Sequence, residues 1–263
     1  MLTAEQRAEF DLTGIVKLEG AFSAADASAM RAVVWKELAV RHGIHEDDPS
    51  TWTPHYVSGM KTTKRHPAFQ AILGPPLRAA LDDLLGPGRW QEPKHQGQVL
   101  VTLPNADSWR VPHHMWHTDV GYDTPPGQLI GVKHWAFVDA VEPGGGGTVQ
   151  LAGSHRLLER YVSQLPADKR EYKHVRDSFL RSHPWLRGLS KPDDDPDRNR
   201  RLMDVDTDID GLPARVVELT GRPGDVYLTH LWVMHAAAPN ASARPRMMRS
   251  RPFYPLDAGP APE

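Results

Sequence analysis

Along roughly the first 95 residues, the apolar positions recur with the three-and-four spacing of helices. Thr3 and Gln6 stand at capping-box spacing before Phe10. Ser23 with Asp26 opens a stretch in which Met30, Val33, Val34 and Leu38 share one face before Gly43 closes it. A further helix is predicted over 75–85, where Leu77, Leu81, Leu84 and Leu85 recur before Gly86, and a short strand over 14–18. From Gly97 the texture changes. The runs 99–103, 129–141, 148–151, 216–219, 226–231 and 247–254 are short, β-branched or aromatic, and bounded by Gly, Pro, Asn or Asp.

Few helical stretches separate these runs, so the pattern predicts a mainly β fold with helical N-terminal support: a double-stranded β-helix, the cupin-like jelly roll. We expect one domain over 1–263, with 1–95 as mainly helical support and 96–156 plus 213–255 as the jelly-roll core. Residues 157–212 begin with helical spacing over 157–165, turn basic and aromatic around Trp185, and end in the acidic run 193–197. This long polar segment is expected to be an insertion, a lid over the barrel mouth. The Pro- and Ala-rich tail after Pro255 is expected to fray.

Composition narrows the chemistry. The chain has no cysteine, which removes disulfides, thiol nucleophiles and cysteine metal sites together, so any metal must be held by His, Asp or Glu. A net charge of -2 offers no one-signed surface to a nucleic acid or an anionic membrane. No signal-like core or apolar span is present, which predicts a cytoplasmic protein without nucleic-acid or membrane partners. The sequence leaves the oligomeric state open. Ala, Arg, Asp and Pro are favoured over Lys and Ile, which suggests a GC-rich bacterial source.

Several motifs reduce to structure. Gly144 to Gly147 precede a strand, whereas a phosphate cradle needs a helix N-terminus, so they predict a tight bend. Asp206, Asp208, Asp210 and Gly211 resemble the start of a calcium loop, but its twelfth position is Val217 and Glu218 misses by one; a solvated loop is expected.

The 14 histidines invite a search for a metal site. On a strand, His117 and Asp119 would point to one face and could share an ion. Such pairs arise about twice by chance in this composition, and His45 with Asp47 is another. A second constellation runs from Gly224 and Asp225 through His235 to Asn240, Ser242 and Arg246. If Asn240 and Ala241 form a hairpin tip, His235 lies opposite Arg246, adding a third ligand and a buried cation to one cavity. A core histidine and a surface arginine are the plainer reading. His230 rivals His235, but on a continuous strand the two would have opposite parity.

His117-Thr118-Asp119, the bend and strand from Gly145 through Gln150 to Arg156, and Gly224-Asp225 through His235, Asn240, Ser242, Pro245 and Arg246 together resemble the phytanoyl-CoA dioxygenase family of Fe(II)- and 2-oxoglutarate-dependent oxygenases. The segment from Phe10 to Phe22 is also similar to the family's opening. The resemblance is weakest over 40–95 and 157–212. It implies that His117, Asp119 and His235 bind iron, and that Arg246, eleven residues after the distal histidine, pairs with the far carboxylate of 2-oxoglutarate. Trp135 matches a tryptophan lining the cosubstrate pocket, and Thr148 and Gln98 are further candidates there. It also implies a reaction with O2 that releases succinate and CO2 while hydroxylating an unactivated C–H bond of a small molecule, and with a GC-rich bacterial source it suggests the tailoring of a natural product.

Departures qualify that expectation. Thr118 stands where the family often has Gln, and Ala237 where it has a hydroxyl residue. The ectoine hydroxylase signature is absent, whereas Asp119 is retained where halogenating relatives carry a small residue, favouring oxygen transfer over chlorination. Desaturation, epimerisation or ring formation with the same cofactors, and a non-catalytic jelly-roll binding protein, remain alternatives. His113, His114 and His155 are expected to be structural or mouth residues. Trp52, Tyr56, Trp109, Trp116 and Trp185 are candidates for the substrate mouth.

Overall fold

The Thr3 hydroxyl accepts a hydrogen bond from the Gln6 amide, and the Gln6 side chain accepts one from the Thr3 amide. This reciprocal cap starts α1 (Ala4–Thr13), which Gly14 ends before β1 (Ile15–Leu18). Ser23 likewise caps α2 (Ala24–His42), and Gly43 closes it. β2 (Tyr56–Val57) and α3 (Pro75–Leu85) follow. The structure is a computed structural model that describes residues 1–53, 56–57, 60–122 and 127–258, without the side chains of Tyr56, Lys61 and Ala258. The mouth expectation for Tyr56 and that of a frayed tail over 259–263 therefore lie outside the described residues.

The predicted β runs each overlap a strand: β3 (Gln98–Thr102), β4 (Val132–Phe137) and β5 (Val149–Ala152), then β7 (Leu212–Glu218), which starts four residues earlier than expected, β8 (Val226–His230) and β10 (Arg246–Phe253). Before β7 come α4 (Ser154–Ser163), α5 (Tyr172–Ser182), α6 (Pro184–Leu189) and β6 (Thr207–Ile209), and between β8 and β10 lies β9 (His235–Ala236). The strands form two sheets, in the orders β1-β8-β4-β10-β3-β2 and β6-β7-β5-β9, each antiparallel throughout.

Alternation along the strands assigns the layers. On the large sheet Val99, Val101, Val132, Ala136 and Leu228 pack outward against α1 to α3, while Trp135, Phe137 and Met248 turn inward. The inward residues share a core with Ala152 and Leu219 of the smaller sheet's side. On its far side the smaller sheet carries α4 to α6. The fold is thus a mixed α/β arrangement, which corrects the expectation of a mainly β chain: helices hold more residues than strands, and neither sheet closes on itself among the described residues.

Most of that correction comes from 157–212. Its polar composition lies outside, while Leu157, Leu158, Val162, Val175, Phe179, Leu186, Leu189 and Leu202 are buried against β5 and β7. Burial of this many large apolar side chains, each worth about 1.5–3 kcal/mol, makes the segment a core-building layer. Its acidic run is ordered by arginines: Asp193 meets Arg110 at 2.7 Å and Arg198 at 2.6 Å. The Asp208–Gly211 stretch is the β6–β7 turn, with the Gly211 amide donating to Asp208 Oδ1 at 2.8 Å. No helix among the described residues is long and apolar enough to cross a membrane.

Candidate metal centre and its cavity

His117, Asp119 and His235 each offer a ligand atom, and these atoms lie within 4.8 Å of one another. Asp119 reaches both imidazoles: Oδ1 is 3.7 Å from His117 Nε2, and Oδ2 is 3.6 Å from His235 Nε2. The other nitrogen of each ring is held by a backbone carbonyl two residues earlier. His117 Nδ1 lies 2.7 Å from the Met115 oxygen and His235 Nδ1 lies 3.2 Å from the Val233 oxygen. A ring that donates from Nδ1 leaves Nε2 as a lone-pair donor, so the set fits a divalent cation with open positions.

The local structure that builds this centre differs from the expected strand. His117 pairs with His235 in an isolated antiparallel bridge, with reciprocal backbone bonds of 3.0 and 2.9 Å, and the chain then bends. Thr118 turns away from the centre, where its hydroxyl meets Tyr122 at 2.9 Å and its carbonyl accepts from Tyr172 at 2.6 Å. Tyr172 begins α5, so the 157–212 layer anchors the ligand loop.

The hairpin expectation is also corrected. His235 and Arg246 are not opposite one another: His235 pairs with Gln150 in the smaller sheet, and Arg246 pairs with Thr102 in the larger. They line one cavity because the two sheets face each other. Nor is the strand continuous from His230 to His235, since residues 231–234 carry the chain from one sheet to the other. His230 packs instead against His155, ring centroids 5.1 Å apart, and its Nδ1 accepts from the Trp232 amide.

The cavity has a volume of about 550 Å³ and is lined by all seven residues singled out from the sequence: His117, Asp119, His235, Arg246, Trp135, Thr148 and Gln98. Arg246, 4% exposed, donates to Thr148 Oγ1 at 3.2 Å and Thr102 Oγ1 at 2.5 Å. A buried guanidinium flanked by two hydroxyls suits a carboxylate. Asn240 braces the approach to it, donating to the Thr102 and Arg244 carbonyls. Trp135 donates to Thr229 and stands edge-on to His235 at 5.2 Å, while Gln98 is exposed at the rim. Ala237 lines the cavity too, so the missing hydroxyl is missing there.

Sequence reasoning passed over Lys133, whose Nζ lies 2.5 Å from Asp119 Oδ2 and 4.2 Å from the Trp135 ring centroid. Strand alternation from Trp135 carries the signal that would have found it. Thr102 needed the β3–β10 register. Enclosure alone would raise the Asp119 carboxyl, but contacts with His235 and Lys133 hold it far below the usual carboxylate range. Burial pushes His235 below its ordinary value, keeping it neutral and able to bind metal.

The other candidates lie elsewhere. His113 and His114 meet edge-on, ring centroids 4.8 Å apart, and with Trp116 line a separate surface cavity. Trp52 packs on Trp35, and Trp109 and Trp185 pack with the helical layer, so none of these four tryptophans lines the mouth. The glycine bend is filled from within, because Glu218 accepts from the Gly144 and Gly147 amides at 2.8 and 3.0 Å.

The model of the family described as phytanoyl-CoA dioxygenase (PhyH) matches residues 10–248. No curated protein sequence matches the chain. Among solved structures, the chain is similar to the epimerase SnoN in complex with Fe3+, alpha-ketoglutarate and nogalamycin RO, with 16% identity over 95% of this chain and 82% of that one, and a TM-score of 0.53. It is similar to HygX from Streptomyces hygroscopicus with nickel and 2-oxoglutarate bound, with 16% identity over 97% and 88% and a TM-score of 0.54. The carbocyclase SnoK from nogalamycin biosynthesis matches with 18% identity over 97% and 84% and a TM-score of 0.51. At these identities the likeness concerns the fold, a pair of sheets resembling the double-stranded β-helix.

Proposed function

The chain belongs to the phytanoyl-CoA dioxygenase family, and on that premise we propose that this Fe(II)- and 2-oxoglutarate-dependent oxidoreductase uses O2 to attack an unactivated C–H bond of a small natural product. The convergence of two Nε2 atoms and one carboxylate within 4.8 Å, in a cavity that also holds the buried Arg246, carries the reading.

His117, Asp119 and His235 would hold the iron on one side and leave the cavity side free. Arg246, supported by Thr102 and Thr148, would hold the far carboxylate of 2-oxoglutarate. Bound together, the metal and cosubstrate supply oxidative decarboxylation and hydrogen abstraction. The chain's own work is positional. Met115 and Val233 carbonyls orient the imidazoles, Lys133 holds one carboxylate oxygen of Asp119, and Trp135 walls the centre between Lys133 and His235. A retained carboxylate at 119 supports oxidation over chlorination.

The resemblance in sequence implies hydroxylation. Likeness to an epimerase and a carbocyclase supports instead an outcome in which no oxygen enters the substrate, and we favour epimerisation, desaturation or ring formation after hydrogen abstraction. Nogalamycin biosynthesis, named for SnoK, supports a natural-product substrate. The test is succinate release against a panel of natural-product intermediates, followed by product mass. A product that gains one oxygen restores hydroxylation; unchanged mass or loss of hydrogen supports the favoured reading. Absence of the visible charge-transfer band on anaerobic addition of Fe(II) and 2-oxoglutarate overturns the cofactor assignment.

A further inference from the structure

The cavity has a second cationic end. Lys64, His95, Gly97 and Arg251 line it beyond the residues that serve the metal and cosubstrate. Arg246 and Arg251 are five residues apart on β10, so strand rise separates them by about 16 Å. Lys133, which holds Asp119, faces Pro252 across β4 and β10, so Arg251 stands at the level of the metal ligands.

This end is built, not incidental. Arg249 is fully buried, and its guanidinium donates to the carbonyls of Lys64 at 2.7 Å, Gly97 at 2.9 Å and Gln96 at 3.0 Å, with its carbon 3.8 Å from the Phe69 ring centroid. It ties the segment carrying Lys64 to the one carrying His95. Gly97 has φ 82°, and a Cβ there would stand 1.9 Å from the Ser250 oxygen and 2.7 Å from Arg251 Cβ, so only glycine lets the segment cross β10 this closely. The His95 ring accepts the Gly97 amide at 3.0 Å and meets Arg251 Nη1 at 2.9 Å.

The charges do not balance. Burial and the cations Arg251, Lys64, Arg249 and Arg65 push His95 down to about 4, so it is neutral. Among the described residues, no carboxylate lies within ion-pair distance of Lys64 or Arg251, and the buried Arg251 Nε has no hydrogen-bond partner. Gathering like charges in a partly buried place without a counter-charge is unfavourable, and an anionic ligand reverses the sign.

We propose that Lys64 and Arg251, with His95 orienting Arg251, form a recognition site for an oxyanion of the substrate, a carboxylate or a phosphate. This rests on the reading of the cavity as the substrate site. An acidic small molecule held there would extend toward the metal ligands, while Arg246 remains with the cosubstrate.

The test uses protein loaded anaerobically with Fe(II) and 2-oxoglutarate, titrated calorimetrically with inorganic phosphate in one arm and acetate in the other at constant ionic strength. Saturable binding is expected in at least one arm. Its affinity should fall about tenfold in Lys64→Gln and Arg251→Gln and less in Arg251→Lys, the value of one charge-assisted contact. The arm that binds more tightly identifies the oxyanion. No saturable binding of either probe, or equal affinity in wild type and both glutamine variants, overturns the proposal. The charge-transfer band in the same samples reports folding and the metal centre. If the band is absent in wild type, the cofactor reading fails, and phosphate and acetate binding to metal-free protein and its variants still decides the oxyanion site.

Discussion

Lys133 Nζ lies 2.5 Å from Oδ2 of Asp119, the carboxylate oxygen that also faces His235. The ammonium therefore occupies part of the field that a divalent cation would use. Two positive groups a few ångströms apart repel by about 4 kcal/mol per unit charge product at surface-like screening, an upper bound once side chains relax. Lys133→Met should tighten Mn(II) or Fe(II) binding about tenfold, measured by anaerobic metal titration. Weaker binding would mean that the positioning of the Asp119 carboxylate by Lys133 outweighs this repulsion.

Removing a ligand should be far more severe. Asp119→Ala and His235→Ala should each abolish turnover and the Fe(II)/2-oxoglutarate charge-transfer band. Undiminished turnover in Asp119→Ala would sink the ligand assignment.

Arg246→Gln should raise the 2-oxoglutarate requirement about 10- to 100-fold by removing a charge-assisted pair, with a smaller rise in Thr102→Val. The KM for 2-oxoglutarate checks both. An unchanged KM in Arg246→Gln would place the cosubstrate elsewhere.

Tyr172 donates to the Thr118 carbonyl between His117 and Asp119, two of the residues proposed to bind the metal. Tyr172→Phe should lower stability by about 1 kcal/mol in chemical denaturation and weaken metal affinity several-fold. Loss of stability with unchanged metal affinity would show that α5 supports the fold without tuning the centre.

Burial pushes His155 down to about 4, from an ordinary 6.5. The unfolded chain then binds a proton that the folded chain refuses, so stability falls as pH drops from about 6.5 to about 4, by roughly 1.4 kcal/mol per pH unit for this group. In His155→Gln that contribution should vanish. Its melting temperature should fall less than wild type between pH 7 and pH 5, and identical pH profiles would refute the assignment.

Local chemistry made much of this protein legible. Capping residues and terminal glycines define α1 and α2, leucine spacing and a terminal glycine define α3, and runs of β-branched and aromatic residues bounded by turn formers locate β3, β4, β5, β7, β8 and β10. These signals act within a few residues of the backbone they shape. Helices α5 and α6 were less visible because their apolar stripes sit among Arg, Asp and His, and only packing against β5 and β7 gives those stripes a partner.

The sequence by itself, through its resemblance to the family, singled out His117, Asp119, His235 and Arg246 as the side chains proposed to hold metal and cosubstrate. Tertiary structure alone decided how they meet. His235 and Arg246 belong to different sheets, and His117 and Asp119 are set by a bridge and a bend that α5 holds. Contacts between strands far apart in sequence depend on register and on sheets facing each other, which no local propensity encodes. For the same reason Lys133, Lys64 and Arg251 join the cavity, and Thr102 reaches Arg246, only in three dimensions.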